Sequence, residues 1–207
     1  LETGLVAYYP FDGNASDMSG NGNDGTVNGA TLGVDRHGRA GKAYSFDGDD
    51  WIEVNHHPTI DFEVNDPFSL CFWVKSGVGN SGFRSVMEKW SGEGPYPYVI
   101  RQSDASEIYF NNYDGSNANR LDINDDIFTQ VFVQVAVVSD GSKISIYANN
   151  IERDSLSIST GNTSNSSNLY FGKRGGVNPY NFIGSLDAVR IYDRALSADE
   201  VAELYQM

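Results

Sequence analysis

Asp12, Asn14 and Asp17, the run Ser19-Gly-Asn-Gly-Asn-Asp-Gly25, the corner Asp47-Gly-Asp-Asp50 and Asp187 near the far end are the residues here that could hold a hard cation. Carboxylates, side-chain amides and the carbonyls of Gly-rich turns are the oxygen ligands that calcium takes. A second set, Trp90, Tyr96, Arg101, Tyr109, Asn111 and Tyr113, mixes aromatic faces with planar amide and guanidinium groups. Rings stack on the apolar C–H patches of sugars and planar groups take paired hydroxyls, so this set reads as a carbohydrate site. The alternative is that these rings merely cover sheet edges.

Other chemistries find less to work with. His37, His56 and His57 are the only histidines. His56-His57-Pro58 has no third ligand at zinc spacing, which favours a solvated loop. Neither a nucleophile elbow nor a phosphate loop is present. The one cysteine, Cys71, lies in the apolar run Phe68 to Val74 and reads as a small buried hydrophobe. With 14 Lys+Arg against 28 Asp+Glu the formal charge is -14, which repels nucleic acid and anionic membranes and suits divalent cations and neutral partners. No apolar run reaches the ~18 residues of a membrane span. Asn14, Asn162 and Asn165 fit glycan-acceptor triplets, a pattern frequent by chance.

The elements that must position these residues are strands. The 22 Gly, 12 Tyr and 11 Phe in 207 residues point to aromatic-rich strands joined by many turns, in one all-β domain over 1–207. Alternation and turn residues predict strands over Val6–Phe11, Tyr44–Phe46, Trp51–Val54, Phe68–Lys75, Ser85–Trp90, Tyr98–Gln102, Glu107–Tyr113, Val131–Val138, Ile144–Tyr147 and Leu169–Gly172, then a closing strand from Ile183 to Tyr192. Phe68–Lys75 is apolar on both faces and should lie centrally. In Glu107–Tyr113, Ile108 and Phe110 face the core while Tyr109, Asn111 and Tyr113 face out. Ser197-Ala-Asp-Glu200 has capping-box spacing before Val201, Ala202 and Leu204, so a short helix ends the chain. If first and last strands pair, Asp12 and Asp187 approach across the seam and repel, and a shared cation would remove the conflict.

Four stretches in register carry a family resemblance: Phe11-Asp-Gly-Asn14 with Ser19-Gly-Asn-Gly22, Gly41-Lys-Ala-Tyr-Ser-Phe-Asp-Gly48, Phe68-Ser-Leu-Cys-Phe-Trp-Val-Lys75, and Gly184-Ser-Leu-Asp-Ala-Val-Arg-Ile-Tyr192. They resemble the laminin-G-like modules of the concanavalin A-like lectin/glucanase superfamily along nearly the whole chain. The resemblance implies an antiparallel jelly-roll β-sandwich, commonly with a structural calcium and commonly attached to secreted enzymes or adhesins. The related glucanases end in a similar strand, whose aspartate and an early Gly carbonyl hold the ion. This nominates Asp187, Asp12, the carbonyl of Gly48 and Asn14; the alternative makes Asp187 a turn cap or a partner of Arg190. The glucanase branch also carries Glu-x-Asp-x-x-Glu, and the nearest match here, Glu152-Arg-Asp154-Ser-Leu-Ser157, lacks the last Glu and reads as a turn. Where the family has Trp-x-His-Val-Ala, this chain has Phe132, Gln134, Val135 and Ala136, which keeps the fold and weakens any site at Gln134.

The expectation is a jelly roll with one structural calcium, non-catalytic, binding a polysaccharide or cell-surface glycan or serving adhesion. It should work outside the cell or at its surface as one module of a longer secreted protein, with Leu1-Glu-Thr-Gly4 read as a cut from that chain. A protein-interaction or spacer domain without a sugar site is the rival.

Overall fold

The computed structural model describes residues 1–77, 82–103, 107–124, 130–158, 161–176 and 180–207. Its strands in chain order are β1 (Leu5–Tyr9), β2 (Gly25–Asn28), β3 (Thr31–Val34), β4 (Ala40–Asp47), β5 (Trp51–Val54), β6 (Pro67–Ser76), β7 (Phe83–Glu88) and β8 (Tyr96–Ser103). There follow β9 (Glu107–Tyr113), β10 (Ala118–Asn124), β11 (Val133–Asp140), β12 (Lys143–Ala148), β13 (Ile151–Ser157), β14 (Leu169–Phe171) and β15 (Ile183–Tyr192), and the helix α1 (Ala198–Gln206). Two antiparallel sheets result, ordered β13-β12-β11-β6-β15-β4-β3 and β10-β9-β8-β7-β14-β5-β2, with β1 added to the first alongside β15. This is the jelly-roll sandwich expected.

Between the sheets lies a core rich in rings, among them Tyr9, Phe11, Phe68, Phe110 and Phe171. Alternation sets who enters it. On central β6, Leu70, Phe72 and Val74 point inward, and Cys71 points outward into a second apolar cluster with Tyr192, Val201 and Leu204 beneath α1. Trp73 also faces outward and stacks on Tyr205 of the helix at 5.5 Å. Burial pushes the Cys71 thiol up to about 12, as befits a packing residue. The capping box forms as expected: Ser197 N–H donates to Glu200 at 2.8 Å and Glu200 N–H donates to the Ser197 hydroxyl at 3.2 Å.

First and last strands do pair, Tyr9 opposite Val189 and Leu5 opposite Tyr192. Along one edge β15 runs beside β6; along the other it meets β4 through Ile183–Leu186 and β1 from Val189 onward. The handover is a bulge at Asp187–Ala188, where Ala188 takes φ 50°. Four strands run where the sequence pattern is weak. β2 emerges from the Gly-Asn segment to pair with β5, and β3, β10 and β13 lie at or near sheet edges. Glu152 to Ser157 is therefore strand, not turn, because β12 pairs with it on both sides of a bulge at Arg153. The sequence also predicts a polar loop over 160–168, of which residue 160 lies outside the described residues.

Candidate functional site

The members of the cation set each have partners of their own. Asp187, whose side chain is 3% exposed, accepts from Arg36 Nη1 at 2.5 Å and from the Arg36 backbone N–H at 3.4 Å. Arg36 thus supplies the counter-charge assigned to calcium, and Arg190, the alternative partner, instead lies over the Tyr8 ring. Burial raises the Asp187 pKa, with Arg36 opposing it. Asp12 is exposed and pairs with Lys42. Asn14 Oδ1 accepts from Ser16 N–H at 2.9 Å. Asp17 spends both oxygens within its own segment, accepting from the N–H groups of Tyr8, Ser19 and Asn23. Asp12 and Asp187 thus face cationic side chains, and Asn14 and Asp17 face backbone donors.

Gly48, at φ 111°, turns a different acidic corner. Among the described residues, carboxylates of Asp47, Asp49 and Asp50 each bring an oxygen within 4.8 Å of the others. Their crowding shows in their acidity: Asp49 is raised by hydrogen bonding and repulsion from Asp47, Asp50 by burial and then by Asp47, while Asp47 is lowered. Three mutually repelling carboxylates form a donor set of the kind calcium takes.

The aromatic set, in contrast, does come together, on the outward face of the second sheet. Ile108 and Phe110 are in the core, as alternation demands. Trp90 and Tyr96 rings sit 5.1 Å apart, Tyr96 and Tyr113 5.8 Å apart, and Tyr96 Oη donates to Asn111 Oδ1 at 2.7 Å. Trp90 is held by its indole N–H, shared between the carbonyls of Glu93 (3.0 Å) and Gly94 (3.2 Å). Arg101 lies over Trp90 at 5.3 Å and donates through Nε and Nη2 to Glu88 at 2.7 and 3.1 Å. Glu88 is fully buried and also accepts from the Ser85 hydroxyl. Burial, which alone lowers the Arg101 pKa, is outweighed by Glu88, so the guanidinium stays protonated. Tyr109 faces out as expected yet is buried, under Arg120 at 4.0 Å and edge-on to Phe83 at 6.2 Å.

Several supports were not legible in the sequence. Glu88 and Lys89 come at the end of a strand that reads as ordinary β-structure. The Lys89 ammonium is fully buried, donating to the Asn165 and Ser167 carbonyls at 2.8 and 3.0 Å and to Asn165 Oδ1 at 3.1 Å, beside Asp61 Oδ1 at 3.2 Å and His56 Nδ1 at 3.1 Å. Asn165 Nδ2 donates in turn to the carbonyls of Lys89 (3.1 Å) and Pro95 (3.0 Å), bracketing the loop that carries Trp90. Asn165 is thus part of the loop scaffold, and half-buried His56 reaches the Lys89 ammonium while His57 and Pro58 stay exposed, as a solvated loop predicts. Gly175 is the other support: a Cβ there would overlap the Trp90 carbonyl oxygen. The segment after β14 therefore lies flat on the Trp90 loop and sets Arg174 4.8 Å from the Trp90 ring and 5.4 Å from Tyr180.

A lectin-like sandwich with an aromatic, arginine-lined outer face is the class these features define. The chain belongs to the Laminin_G_3 family of the concanavalin A-like lectin/glucanase superfamily, whose model matches residues 46–202. No curated protein sequence matches it. Similar solved structures include the binding domain of Paraclostridial Mosquitocidal Protein 1, at 21% identity and a TM-score of 0.78, covering 97% of this chain and 51% of that one. The botulinum neurotoxin serotype D ligand binding domain in complex with N-acetylneuraminic acid aligns at 14% identity and 0.81, covering 100% and 51%. The serotype G binding domain aligns at 16% and 0.79, covering 98% and 50%. This chain spans about half the length of these neighbours, and at such identities the likeness is one of fold. No described helix is long and apolar enough to cross a membrane.

Proposed function

We propose that the chain is a non-catalytic carbohydrate-binding module of a larger secreted protein, with its sugar site on the outward face of β7, β8 and β9. The observation that carries this is the ring wall Trp90–Tyr96–Tyr113, with the Asn111 amide beside it and its loop fixed from two sides by Asn165 and Gly175. A wall of fixed rings loses little entropy on stacking against a sugar. The lectin-like family and a neighbour solved with N-acetylneuraminic acid are consistent with the reading. Non-catalytic action is supported by Glu88, the buried carboxylate of the face: both its oxygens are taken by Arg101, leaving it poorly placed to trade protons with a glycosidic oxygen. Any structural calcium goes to Asp47, Asp49 and Asp50.

One observation favours the rival, a spacer or protein-interaction domain without a sugar site. Arg101 and Tyr109 are occupied by Glu88, Arg120 and Phe83, so these two nominated residues act more as floor than as contact. Trp90→Ala is therefore the cleaner test, since Arg101→Ala would strand the buried Glu88. On a glycan array followed by calorimetry, the module should bind at least one glycan class, and Trp90→Ala should weaken it about 10-fold or more, as loss of a stacking platform does. Silence of the folded wild-type module across neutral and acidic glycans would establish the rival.

A further inference from the structure

Beside the ring wall lies a pocket of about 310 Å³ lined by Phe83, Arg101, Tyr109, Arg120, Arg174 and Tyr180. Three arginines and three rings line it, and no carboxylate does, on a chain whose formal charge is -14. We propose that this pocket selects a carboxylate-bearing sugar and that Arg174 is the residue that reads the carboxylate. The inference rests on the carbohydrate reading above and names the sugar class for it.

The three arginines are not equivalent. The fork of Arg101 is filled by Glu88. Arg120 donates from Nε to Asp122 at 2.8 Å and from Nη2 to Glu107 at 2.8 Å. Arg174, among the described residues, has no carboxylate partner: its contacts are the two rings, Trp90 and Tyr180. Two neighbouring rings confine the guanidinium without using its N–H groups in an ion pair. A guanidinium edge matches a carboxylate with two parallel hydrogen bonds. Gly175 makes the placement rigid, because its contact with the Trp90 carbonyl fixes the neighbouring backbone. Arg101 and Arg120 then supply positive potential without competing for the ligand, and the half-exposed Phe83 offers an apolar face for the sugar ring. The volume lies at the lower end of small-molecule sites, which suits one sugar unit rather than a chain.

A carboxylate on a pyranose comes from two sources, a uronic acid within a polysaccharide or a nonulosonic acid at the end of a cell-surface glycan. Calorimetry separates them: oligogalacturonate against its methyl ester, and sialyllactose against its methyl ester, each with the wild type, Arg174→Gln and Trp90→Ala. Expected is an acid form bound about 10- to 100-fold more tightly than its uncharged counterpart, the range of a charge-assisted contact. Arg174→Gln should erase that preference, so that the acid and uncharged forms bind alike in a variant that still unfolds cooperatively, and added salt should shrink the preference in the wild type. Neutral and acidic forms bound equally, or a preference that survives Arg174→Gln, overturns the assignment of Arg174 while leaving a sugar site in place. No binding in any arm overturns the carbohydrate reading itself, and with it this one.

Discussion

Replacing Arg36 with methionine should strand Asp187 in the seam between β4 and β1, and the size of the effect follows from the burial of the pair. The Arg36 side chain is 10% exposed and that of Asp187 3%, at a separation of 2.5 Å. Removing one partner of a pair this buried costs about 3–5 kcal/mol, most of it the penalty of the uncompensated charge. For a domain of this size about 2–4 °C of melting temperature accompanies each kcal/mol, so a fall of about 6–20 °C is expected at pH 7. Because burial already raises the Asp187 pKa and Arg36 opposes that rise, losing Arg36 lifts it further. A raised carboxyl contributes stability that is complete below its unfolded value and is lost as pH climbs through the folded value. Arg36→Met should therefore be least harmful in acid and most harmful at neutrality. Asp187→Asn in the same background should restore much of the loss, giving a double-mutant coupling of about 2 kcal/mol or more by calorimetry. If Arg36→Met moves the melt by less than about 2 °C, while a chelator lowers the wild-type melt and Asp187→Asn abolishes that response, calcium and not Arg36 balances Asp187.

Two further outcomes are expected. Calcium at 100 times its dissociation constant should stabilise the fold by about 2.7 kcal/mol if Asp47, Asp49 and Asp50 hold it, and Asp50→Asn should remove the gain; metal-free protein with an unchanged melt argues against any structural ion. Burial and then the Lys89 charge lower the His56 pKa, with Asp61 opposing and His57 adding slightly. Stability should hold above the ordinary histidine value and fall as pH drops from about 6.5 through the folded value. His56→Gln, which keeps an acceptor for Lys89, should flatten that part of the profile, and a profile identical to wild type would clear His56 of the role.

What the sequence made legible was whatever depends on neighbours along the chain. Alternation in Phe68–Lys75 and Glu107–Tyr113 sorted inward from outward residues, and Ser197 with Glu200 announced the helix, because each signal is complete within a few residues. Even the meeting of β1 and β15 could be anticipated from the first and last motifs. The strands missed, β2 and β13 among them, are short or carry exposed polar residues, and it is pairing with β5 and β12 that makes them strands. The partner of Asp187 was hidden for a related reason: Arg36 stands 151 residues away in an unremarkable turn. Composition names the charges but not which of them meet.

The same point explains why an oxygen-rich sequence can be an unreliable guide to metals. Asp61 from one loop and Asn165 and Ser167 from another converge, through carboxylate, amide and carbonyl oxygens, on a single cation, and that cation is the Lys89 ammonium. Burial lowers the Lys89 pKa, with Asp61 opposing, so the oxygens around it are what keep an ammonium tolerable there. A lysine in this position does for the loops what a bound ion does elsewhere: it satisfies several acceptors at once and fixes their spacing. Because Asn165 also grips the carbonyls on either side of the Trp90 loop, that internal cation is mechanically joined to the ring wall. Arg36 plays the equivalent part for Asp187 at the opposite sheet. Asp187, where the sequence invites a divalent ion, thus meets a cationic side chain of the chain itself, while the crowded carboxylates of the Asp47–Asp50 corner have no ion-pair partner among the described residues.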